Sequence, residues 1–375
     1  MAGIFLNLVL AFVPLGIMEG IKKPRPSPNA ISVTLVAGGR NNTNKGSDPL
    51  TGGNVPHVAV WDIAGQRIGQ WNPHHDQKMG EDSIGPDIII DPKTKKNSNV
   101  DPYYILLSNS GTDAVCLASI TIASAAVSTS FYGDTGYKCG QSWYLSGKPV
   151  GSNYETPRCV WLDGDGTNKI NANAISFHIS DFAPSTDMIT QYNDNQDTLC
   201  KSTPRFSFWS HLDPDSEIPI FDPPLEYVPD SSTGGPGADK DPSRVIDKTP
   251  FDKSVKTYKG QASYKRSLKS SRHRARAQSS NPDPTHLIIT NHPGHDIRDV
   301  CEHPNSVGWD VVSTVDNIYC DMETRQLYPV CVAGTRDACF DMTTKTIRAP
   351  AGKRDISVSN KQYATSDEWG PYGVN

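Results

Sequence analysis

The chain has 375 residues, and its 41 acidic and 36 basic side chains give a net charge of −5, which argues against specific nucleic acid as its main partner. Its 30 Gly and 29 Pro leave little room for long helices and predict a mainly β, loop-rich fold. At this length the chain accommodates one large domain or two modest ones.

The first predicted element is an apolar run over residues 4–18. It is shorter than the roughly 20 residues that a membrane-spanning helix needs and is typical of a signal-peptide core. We therefore predict that residues 1–20 are a signal peptide and that the protein is secreted, with the cleavage site left open. One alternative is an uncleaved membrane anchor over residues 4–18, because Lys22, Lys23 and Arg25 follow the run. The other is a buried helix of a cytosolic protein.

A β-rich domain is predicted over residues 31–212. Nine short runs of β-branched, aromatic and other apolar residues alternate with turn sequences. Residues 57–63 and 66–71 form the clearest hairpin, with Ala64-Gly65 at its turn. The other strand candidates are 31–36, 88–90, 103–108, 115–122, 127–132, 158–162 and 174–179. Strands of this number and spacing predict an antiparallel β-sandwich-like arrangement.

Residues 213–285 are predicted to be a disordered linker. The first part, 213–247, is acidic and rich in Pro, Gly and Ser, whereas residues 253–276 carry nine Lys and Arg without an acidic side chain. Such a composition buries too little apolar surface to offset the entropy of ordering. The basic part is interpreted as a solvated segment. Binding to an anionic polymer or lipid, and cleavage at Lys265-Arg266, are the alternatives.

The C-terminal region, residues 286–375, contains one seven-residue pattern twice. Residues 321–327 and 341–347 both read D-M-x-T-[RK]-x-[LI], and a cysteine precedes each copy. An acidic residue and a Thr favour a tight turn, and the flanking apolar residues can pair across it, so each copy predicts a hairpin. Together they predict a small disulfide-stabilised β-hairpin block that can pack on the β-rich domain.

Eight cysteines are an even number, for which export to an oxidising compartment predicts four disulfides. Because the linker separates two groups of four, we predict pairing within each group. We expect Cys301–Cys320 and Cys331–Cys339 in the second group, whereas the pairing among Cys116, Cys139, Cys159 and Cys200 stays open. Export also predicts a glycan on Asn41, which begins the only N-x-S/T sequon.

Several short segments around the cysteines together form a recognisable sequence pattern. They are V-C-E at 300–302, S-V-G-W-D-V-V-S at 306–313, Y-C-D-M-E-T at 319–324, L-Y-P-V-C at 327–331, A-C-F-D-M at 338–342, G-Y-K-C-G at 136–140, S-W-Y at 142–144 and C-V-W-L-D-G-D at 159–165. In these segments the chain resembles a family of uncharacterised secreted proteins of filamentous ascomycete fungi. The resemblance implies secretion, disulfides and a fungal source, and it carries over no catalytic residue. The N-terminus departs from it, since family members usually have a cleaner signal peptide.

Asp163, Asp165 and Asn168 are the candidate Ca²⁺ ligands, because they place side-chain oxygens along a Gly-rich turn. The segment departs from an EF-hand loop, since Asn168 replaces the required Gly and Ala174 replaces the acid at position twelve. A turn closed by local hydrogen bonds is therefore the favoured interpretation. No other cofactor is expected.

No motif of a well-marked enzyme class is present. The chain lacks a G-x-S-x-G elbow, a P-loop, a G-x-G-x-x-G loop and an H-E-x-x-H helix, so no catalytic residue is assigned and the protein is interpreted as non-enzymatic. Two groups of histidines are interpreted as scattered surface residues and not as zinc or copper ligands. They are His74 and His75, and His286, His292, His295 and His303.

Glycan or cell-wall binding is the most concrete function that these features predict. A secreted β-sandwich without catalytic motifs can bind sugar rings through exposed aromatic side chains. Trp61 and Trp161 lie in apolar runs and are assigned to the core, whereas Trp143 and Tyr144 are expected to be partly exposed for ligand stacking. The expected partner is a cell-wall polysaccharide or another extracellular polymer. A secreted hydrolase with unmarked carboxylates and an accessory protein of a fungal secondary-metabolite or host-interaction pathway are the alternatives.

Overall fold

A computed structural model describes residues 29–39, 50–79, 84–92, 101–148, 155–244, 279–350 and 361–370. Within these ranges strands predominate, and the longest helix, Thr186–Asp194, has nine residues. None of the helices in these ranges combines the length and the apolar character that crossing a membrane requires. The apolar run 4–18, the sequon at Asn41 and the basic segment 253–276 lie outside the described residues.

Two antiparallel sheets form the N-terminal block, which we define as described residues 29–244. The strands of the first sheet are β1 Ile31–Ala37, β4 Ile88–Ile90, β6 Val115–Ala123, β7 Ser128–Tyr132, β8 Trp143–Tyr144 and β9 Cys159–Leu162. Their order is β4-β1-β6-β9-β8, and β7 also pairs with β6. The strands of the second sheet are β2 His57–Trp61, β3 Arg67–Trp71, β5 Tyr104–Ser108, β10 Ala174–His178 and β11 Phe206–Trp209, in the order β11-β10-β5-β2-β3.

Alternating burial explains why the two sheets face each other. In β5, Ile105 and Leu107 point into the core shared with the first sheet, whereas Tyr104 and Leu106 lie on the opposite face. Each aliphatic side chain removed from water in this way contributes about 1.5–3 kcal/mol. All nine predicted strands are present with ends within two residues of those expected. The sandwich-like prediction is therefore confirmed.

Three short helices complete this block. They are α1 Gly133–Lys138, α2 Thr186–Asp194 and α3 Asp197–Cys200, and a 3₁₀ turn covers Ile179–Phe182. Ser185 caps α2 by accepting a hydrogen bond from the Met188 N–H. The short lengths agree with the Gly and Pro content, which leaves little room for long helices.

The acidic segment 213–244 is ordered, so the prediction of a disordered linker is wrong for these residues. It contains the antiparallel strands β12 Tyr227–Pro229 and β13 Pro236–Asp239. Ile218 and Ile220 of this segment pack on the outer face of the second sheet, against a buried cluster that includes Trp61 and Trp209. Composition alone predicts disorder wrongly here. A few well-spaced apolar residues are enough to order a segment when they pack on an exposed apolar face of a sheet.

A buried ion cluster fastens this segment to the sandwich. Arg205 is fully buried and donates to Asp181 at 3.1 Å and to Asp239 of β13. The Tyr227 hydroxyl of β12 donates to the same Asp181 at 2.5 Å. Removing one member of such a cluster would leave an uncompensated buried charge. The cluster is enclosed and serves the fold.

The C-terminal block, described residues 279–370, is built on a mixed sheet. Its elements are β14 His286–Thr290, helix α4 Ile297–Glu302, β15 Asp310–Ser313, β16 Ile318–Asp321, β17 Gln326–Pro329, β18 Cys339–Asp341, β19 Thr346–Arg348 and β20 Thr365–Trp369. The sheet order is β17-β16-β15-β14-β20, and β14 runs parallel to both β15 and β20. The hairpin prediction did not include the parallel β14-α4-β15 crossover.

Both copies of the repeated pattern form the predicted hairpins, β16–β17 and β18–β19. In each turn the first Asp, Asp321 or Asp341, accepts two backbone N–H groups through Oδ1. The fifth residue, Arg325 or Lys345, has a left-handed backbone with φ of 58° or 53°. The Asp side chain thus replaces the backbone partners that a tight turn removes.

All eight cysteines form four disulfides: Cys116–Cys159, Cys139–Cys200, Cys301–Cys320 and Cys331–Cys339. The predicted separation into two groups and both predicted C-terminal pairs are confirmed. Four such bonds are typical of a protein that matures in an oxidising compartment. No disulfide joins the two blocks, so contact between them is non-covalent.

Candidate functional site

The two blocks meet along a buried seam that begins at β8. The Trp143 N–H donates to the Asn305 carbonyl at 3.1 Å, and the Trp143 carbonyl accepts from the Val307 N–H at 2.9 Å. Val307 and Trp309 belong to the same apolar core as the N-terminal sheets. The C-terminal block therefore continues the sandwich in both hydrogen bonding and packing.

Trp143 and Tyr144 lie inside this seam, so the prediction that they are exposed is wrong. Both residues have 0 % exposure. Trp143 Nε1 donates to His303 Nδ1 at 3.0 Å, and the Tyr144 hydroxyl donates to the Trp309 carbonyl at 2.6 Å. The surface that covers the pair lies about 160 positions further along the chain, and no local pattern indicates it.

A partly exposed group of aromatic and charged side chains lies beside Trp143. We name it the seam patch and define it as Asp134, Tyr137, Arg158, Asp299 and His303. Arg158 donates to Asp134 at 2.9 Å and to Asp299 at 2.8 Å, and its guanidinium carbon lies 4.1 Å from the centroid of the Tyr137 ring. The Tyr137 hydroxyl donates to Asp299 at 3.1 Å. The patch joins residues from both blocks.

Two disulfide-anchored helices position the seam patch. Asp134 and Tyr137 lie on α1, directly before Cys139, which is bonded to Cys200. Asp299 lies on α4, whose Cys301 is bonded to β16. Helices of six residues are marginal in isolation, so the disulfides and the packing around them hold these side chains in place.

The seam patch carries one guanidinium and two carboxyls, and solvent screens these groups only partly. The Arg158 side chain is 30 % exposed, and the Asp134 and Asp299 side chains are each 21 % exposed. Burial raises the pKa of Asp134, although Arg158 acts in the opposite direction. Burial also lowers the pKa of His303, which therefore carries a neutral ring near neutral pH. The patch thus combines one guanidinium, two carboxyls and two neutral aromatic rings.

Such a set of groups is suited to a polyhydroxylated ligand. A guanidinium fork and carboxylate oxygens can donate to and accept from neighbouring hydroxyls, and charge-assisted hydrogen bonds of this kind are the stronger ones. An aromatic ring offers an apolar surface beside a polar edge. A small number of polar groups that converge on a ligand from a rigid frame fix the orientation of that ligand.

The candidate Ca²⁺ residues form a closed local turn. Asp163 is buried, and its carboxylate accepts the backbone N–H of Asp165 at 3.3 Å and that of Thr167 at 2.7 Å. Burial raises the pKa of Asp163 to about 7, against the lowering effect of Thr167. Asn168 has a left-handed backbone, with φ of 52°. These contacts are those of the favoured turn interpretation, and the Ca²⁺ site stays a prediction.

The histidines of the C-terminal region are not scattered surface residues. His286 and His295 are buried, and His295 Nε2 lies 3.0 Å from the Ser146 carbonyl across the seam. His74 and His75 are exposed, as expected. Within the ranges that the structure describes, no three His, Cys, Asp or Glu residues are grouped so as to hold a metal ion.

A second polar cluster lies inside the C-terminal sheet. Lys361 Nζ bonds Asp310 at 2.8 Å and Asp321 at 2.5 Å, and the Tyr363 hydroxyl donates to Asp310 at 2.6 Å. Although burial acts in the opposite direction, Asp310 raises the pKa of Lys361, so this amine stays protonated and is not a nucleophile. The cluster neutralises buried carboxylates on two adjacent strands.

The fold and the seam patch define a disulfide-bonded β protein in which two non-covalently joined blocks share one core and present one partly exposed polar-aromatic site. Comparisons with protein-family models, with curated proteins and with solved structures found no match. The residues of the seam patch therefore supply the indications of function.

Proposed function

We propose that the protein is an exported, non-enzymatic binding protein that holds a carbohydrate at the seam patch. The carrying observation is the partly exposed Tyr137 ring beside the Arg158 guanidinium and the carboxyls of Asp134 and Asp299. This group replaces Trp143 and Tyr144 as the candidate binding residues. A glycan of a cell wall or another extracellular polymer is the ligand class that fits its chemistry.

Rigid positioning supports this proposal. Three of the patch residues, Asp134, Tyr137 and Asp299, lie on two helices anchored by disulfides. Arg158 is fixed by a carboxyl on either side. A site that is ordered before the ligand arrives does not lose side-chain entropy on binding. The exposed parts of the side chains therefore remain available for ligand hydroxyls in a fixed arrangement.

The test is calorimetric titration of the disulfide-intact protein with soluble hexasaccharides of β-1,4-linked N-acetylglucosamine, β-1,3-linked glucose and α-1,6-linked mannose. Binding of at least one is expected, and both Tyr137→Ala and Asp134→Asn should weaken it by about tenfold or more, since each removes a contact of about 1–2 kcal/mol. Tyr328→Ala is the matched control, because Tyr328 is partly exposed in the hairpin β16–β17 and lies outside the patch. Equal affinity of the Tyr137 variant and the parent would contradict the proposal.

The same samples address the hydrolase alternative. Asp134 and Asp299 approach one guanidinium from two sides, and burial raises the pKa of Asp134, as a general acid would require. Release of new reducing ends that Asp134→Asn abolishes would identify a hydrolase. We expect binding without turnover, which would identify a binding protein.

Export is part of the proposal, and the four disulfides support it. Secretion by a eukaryotic host should yield protein with a glycan on Asn41, and an endoglycosidase should lower its mass by one glycan. Asn41→Gln is the control that should show no such loss. Recovery of unglycosylated protein with reduced thiols from the cytosol would overturn this part.

A further inference from the structure

Two histidines of the C-terminal block contact the N-terminal block through ring nitrogens, His303 through Nδ1 and His295 through Nε2. His303 Nδ1 accepts the Trp143 Nε1–H at 3.0 Å and the Asn305 N–H at 3.2 Å. Because both partners are donors, this nitrogen carries no proton in the docked arrangement. A proton on Nδ1 would oppose the indole N–H of Trp143, which is fully buried.

The charged groups around His303 lie on α4, which it caps, and on two other parts of the chain. Asp299 of α4 favours the charged ring, whereas Arg158, before β9, and Arg325, in the β16–β17 turn, disfavour it. Tyr137 of α1 packs against the imidazole with ring centroids 5.0 Å apart. Burial is the largest influence and acts with the two arginines, so the docked ring has a lowered pKa.

His295 makes the second contact of this kind. The Ser146 carbonyl can only accept, so His295 Nε2 donates to it at 3.0 Å. In the neutral ring Nδ1 is then the acceptor of the Thr290 hydroxyl, which lies at 2.7 Å. The neighbours are His292 of the same loop, and Arg158 and the Trp369 ring on other elements. None of these is an acid that would stabilise an imidazolium. Burial lowers the pKa of His295 to about 4.

We propose that the seam is an acid-sensitive switch in which protonation of His295 and His303 releases the C-terminal block from the sandwich. Above the pKa of a free imidazole, about 6.5, both rings are neutral and the seam is fully stable. Because the docked pKa of each ring is lowered, the undocked state binds more protons as the pH falls below about 6.5, and docking weakens. For His295 alone, a docked pKa of about 4 against about 6.5 for the free ring would weaken the docking equilibrium by up to about 300-fold.

Release would also dismantle the seam patch, since Asp299 and His303 come from the C-terminal block and Asp134, Tyr137 and Arg158 from the other. Ligand release on acidification is a consequence that rests on the proposed function. The switch itself concerns only the contact between blocks. It can therefore be tested without a ligand.

The experiment is hydrogen exchange of the full-length, disulfide-intact protein at about pH 7 and about pH 4.5, corrected for intrinsic exchange rates. The reporters are the amides of Trp143 and Val307, whose hydrogen bonds cross the seam, and the internal reference is β5 at the centre of the second sheet. Acidification should lower protection of the seam amides by at least about tenfold relative to β5. The double variant His295→Gln, His303→Gln should keep its protection, because glutamine can accept and donate without titrating.

His75→Gln is the matched control, since its side chain is 95 % exposed, and it should behave like the parent protein. Unchanged seam protection in the parent at about pH 4.5 would overturn the switch. Loss of protection in β5 to the same extent as in the seam would also overturn it, because that is global acid unfolding. If the double variant does not fold, the single variant His303→Gln is compared with the parent protein. A smaller loss of seam protection in this variant at about pH 4.5 would support the switch. A loss equal to the parent's would exclude His303 as one of its titrating groups.

Discussion

At the scale of single residues, Gly308 lies so close to the Tyr144 ring in the seam that a side chain has no room. A β-carbon added to Gly308 would lie 2.1 Å from Cδ2 of the Tyr144 ring. The ring has no room to move, because it is fully buried and its hydroxyl bonds the Trp309 carbonyl at 2.6 Å. Gly308 is therefore required for the close approach of the two blocks.

We predict that Gly308→Ala lowers the free energy of unfolding by about 1–3 kcal/mol, because the methyl group overpacks the seam. Urea denaturation followed by tryptophan fluorescence measures the change. Gly235→Ala is the control, since the nearest atom to its added carbon is the Thr233 hydroxyl oxygen at 3.4 Å, and its effect should stay within about 0.5 kcal/mol. Equal effects of the two substitutions would mean that the seam is more loosely packed than the contact indicates.

At the scale of elements, local sequence patterns predict the hairpins, whereas the short helices depend on contacts with distant residues. The strand β15 is followed by a third turn of the repeated type, in which Ser313 accepts two backbone N–H groups and Asn317 has φ of 54°. The spacing of Ser313 and Asn317 matches that of Asp321 and Arg325. The sequence pattern does not reveal this turn, because Ser stands in place of Asp. Helix α4 carries no comparable signal beyond its cap, Asp296.

We predict that the double variant Cys301→Ala, Cys320→Ala loses about 3 kcal/mol of unfolding free energy, as expected for a closed loop of 19 residues. It should also increase hydrogen exchange in α4, because the disulfide is the covalent link between this helix and β16. The double variant Cys331→Ala, Cys339→Ala is the control and should leave α4 protected, since this bond closes only the segment between β17 and β18. Equal loosening of α4 in both variants would argue against a specific anchoring role.

At the scale of the whole molecule, one core is divided between two stretches of chain. Ile288, Val300, Val311 and Trp369 of the C-terminal block pack in the same cluster as the sandwich. No disulfide crosses between the blocks, so the seam supplies all the direct contact. Neither block has a complete core by itself.

We predict that residues 29–244 and 279–370, secreted as two separate chains from one host, assemble into a complex that co-elutes on size exclusion without a covalent link. Each chain produced alone should aggregate, because it exposes the apolar surface that the other covers. Gly308→Ala in the second chain should weaken assembly, and Gly235→Ala in the first should not. Two separate, stable, monomeric chains would show that the seam is dispensable for folding.

The sequence predicted the features that depend on neighbouring residues. Strand positions, the β2–β3 hairpin and the two repeated turns follow from alternating burial and from side chains that bond their own backbone. The segregation of the disulfides was predictable from cysteine order. The burial of Trp143 and Tyr144, by contrast, depends on Asn305, Val307 and Trp309, which lie far along the chain.

By itself, the sequence determined that the chain is mainly β, disulfide-bonded and divided into two blocks. These properties follow from local patterns and from residue counts. Only the tertiary structure decided that the segment 213–244 is ordered, since that depends on an apolar sheet face formed by other strands. It also decided that Asp134, Tyr137 and Arg158 meet Asp299 and His303. Side chains more than 140 positions apart come together only when the seam forms, and local sequence carries no record of that contact.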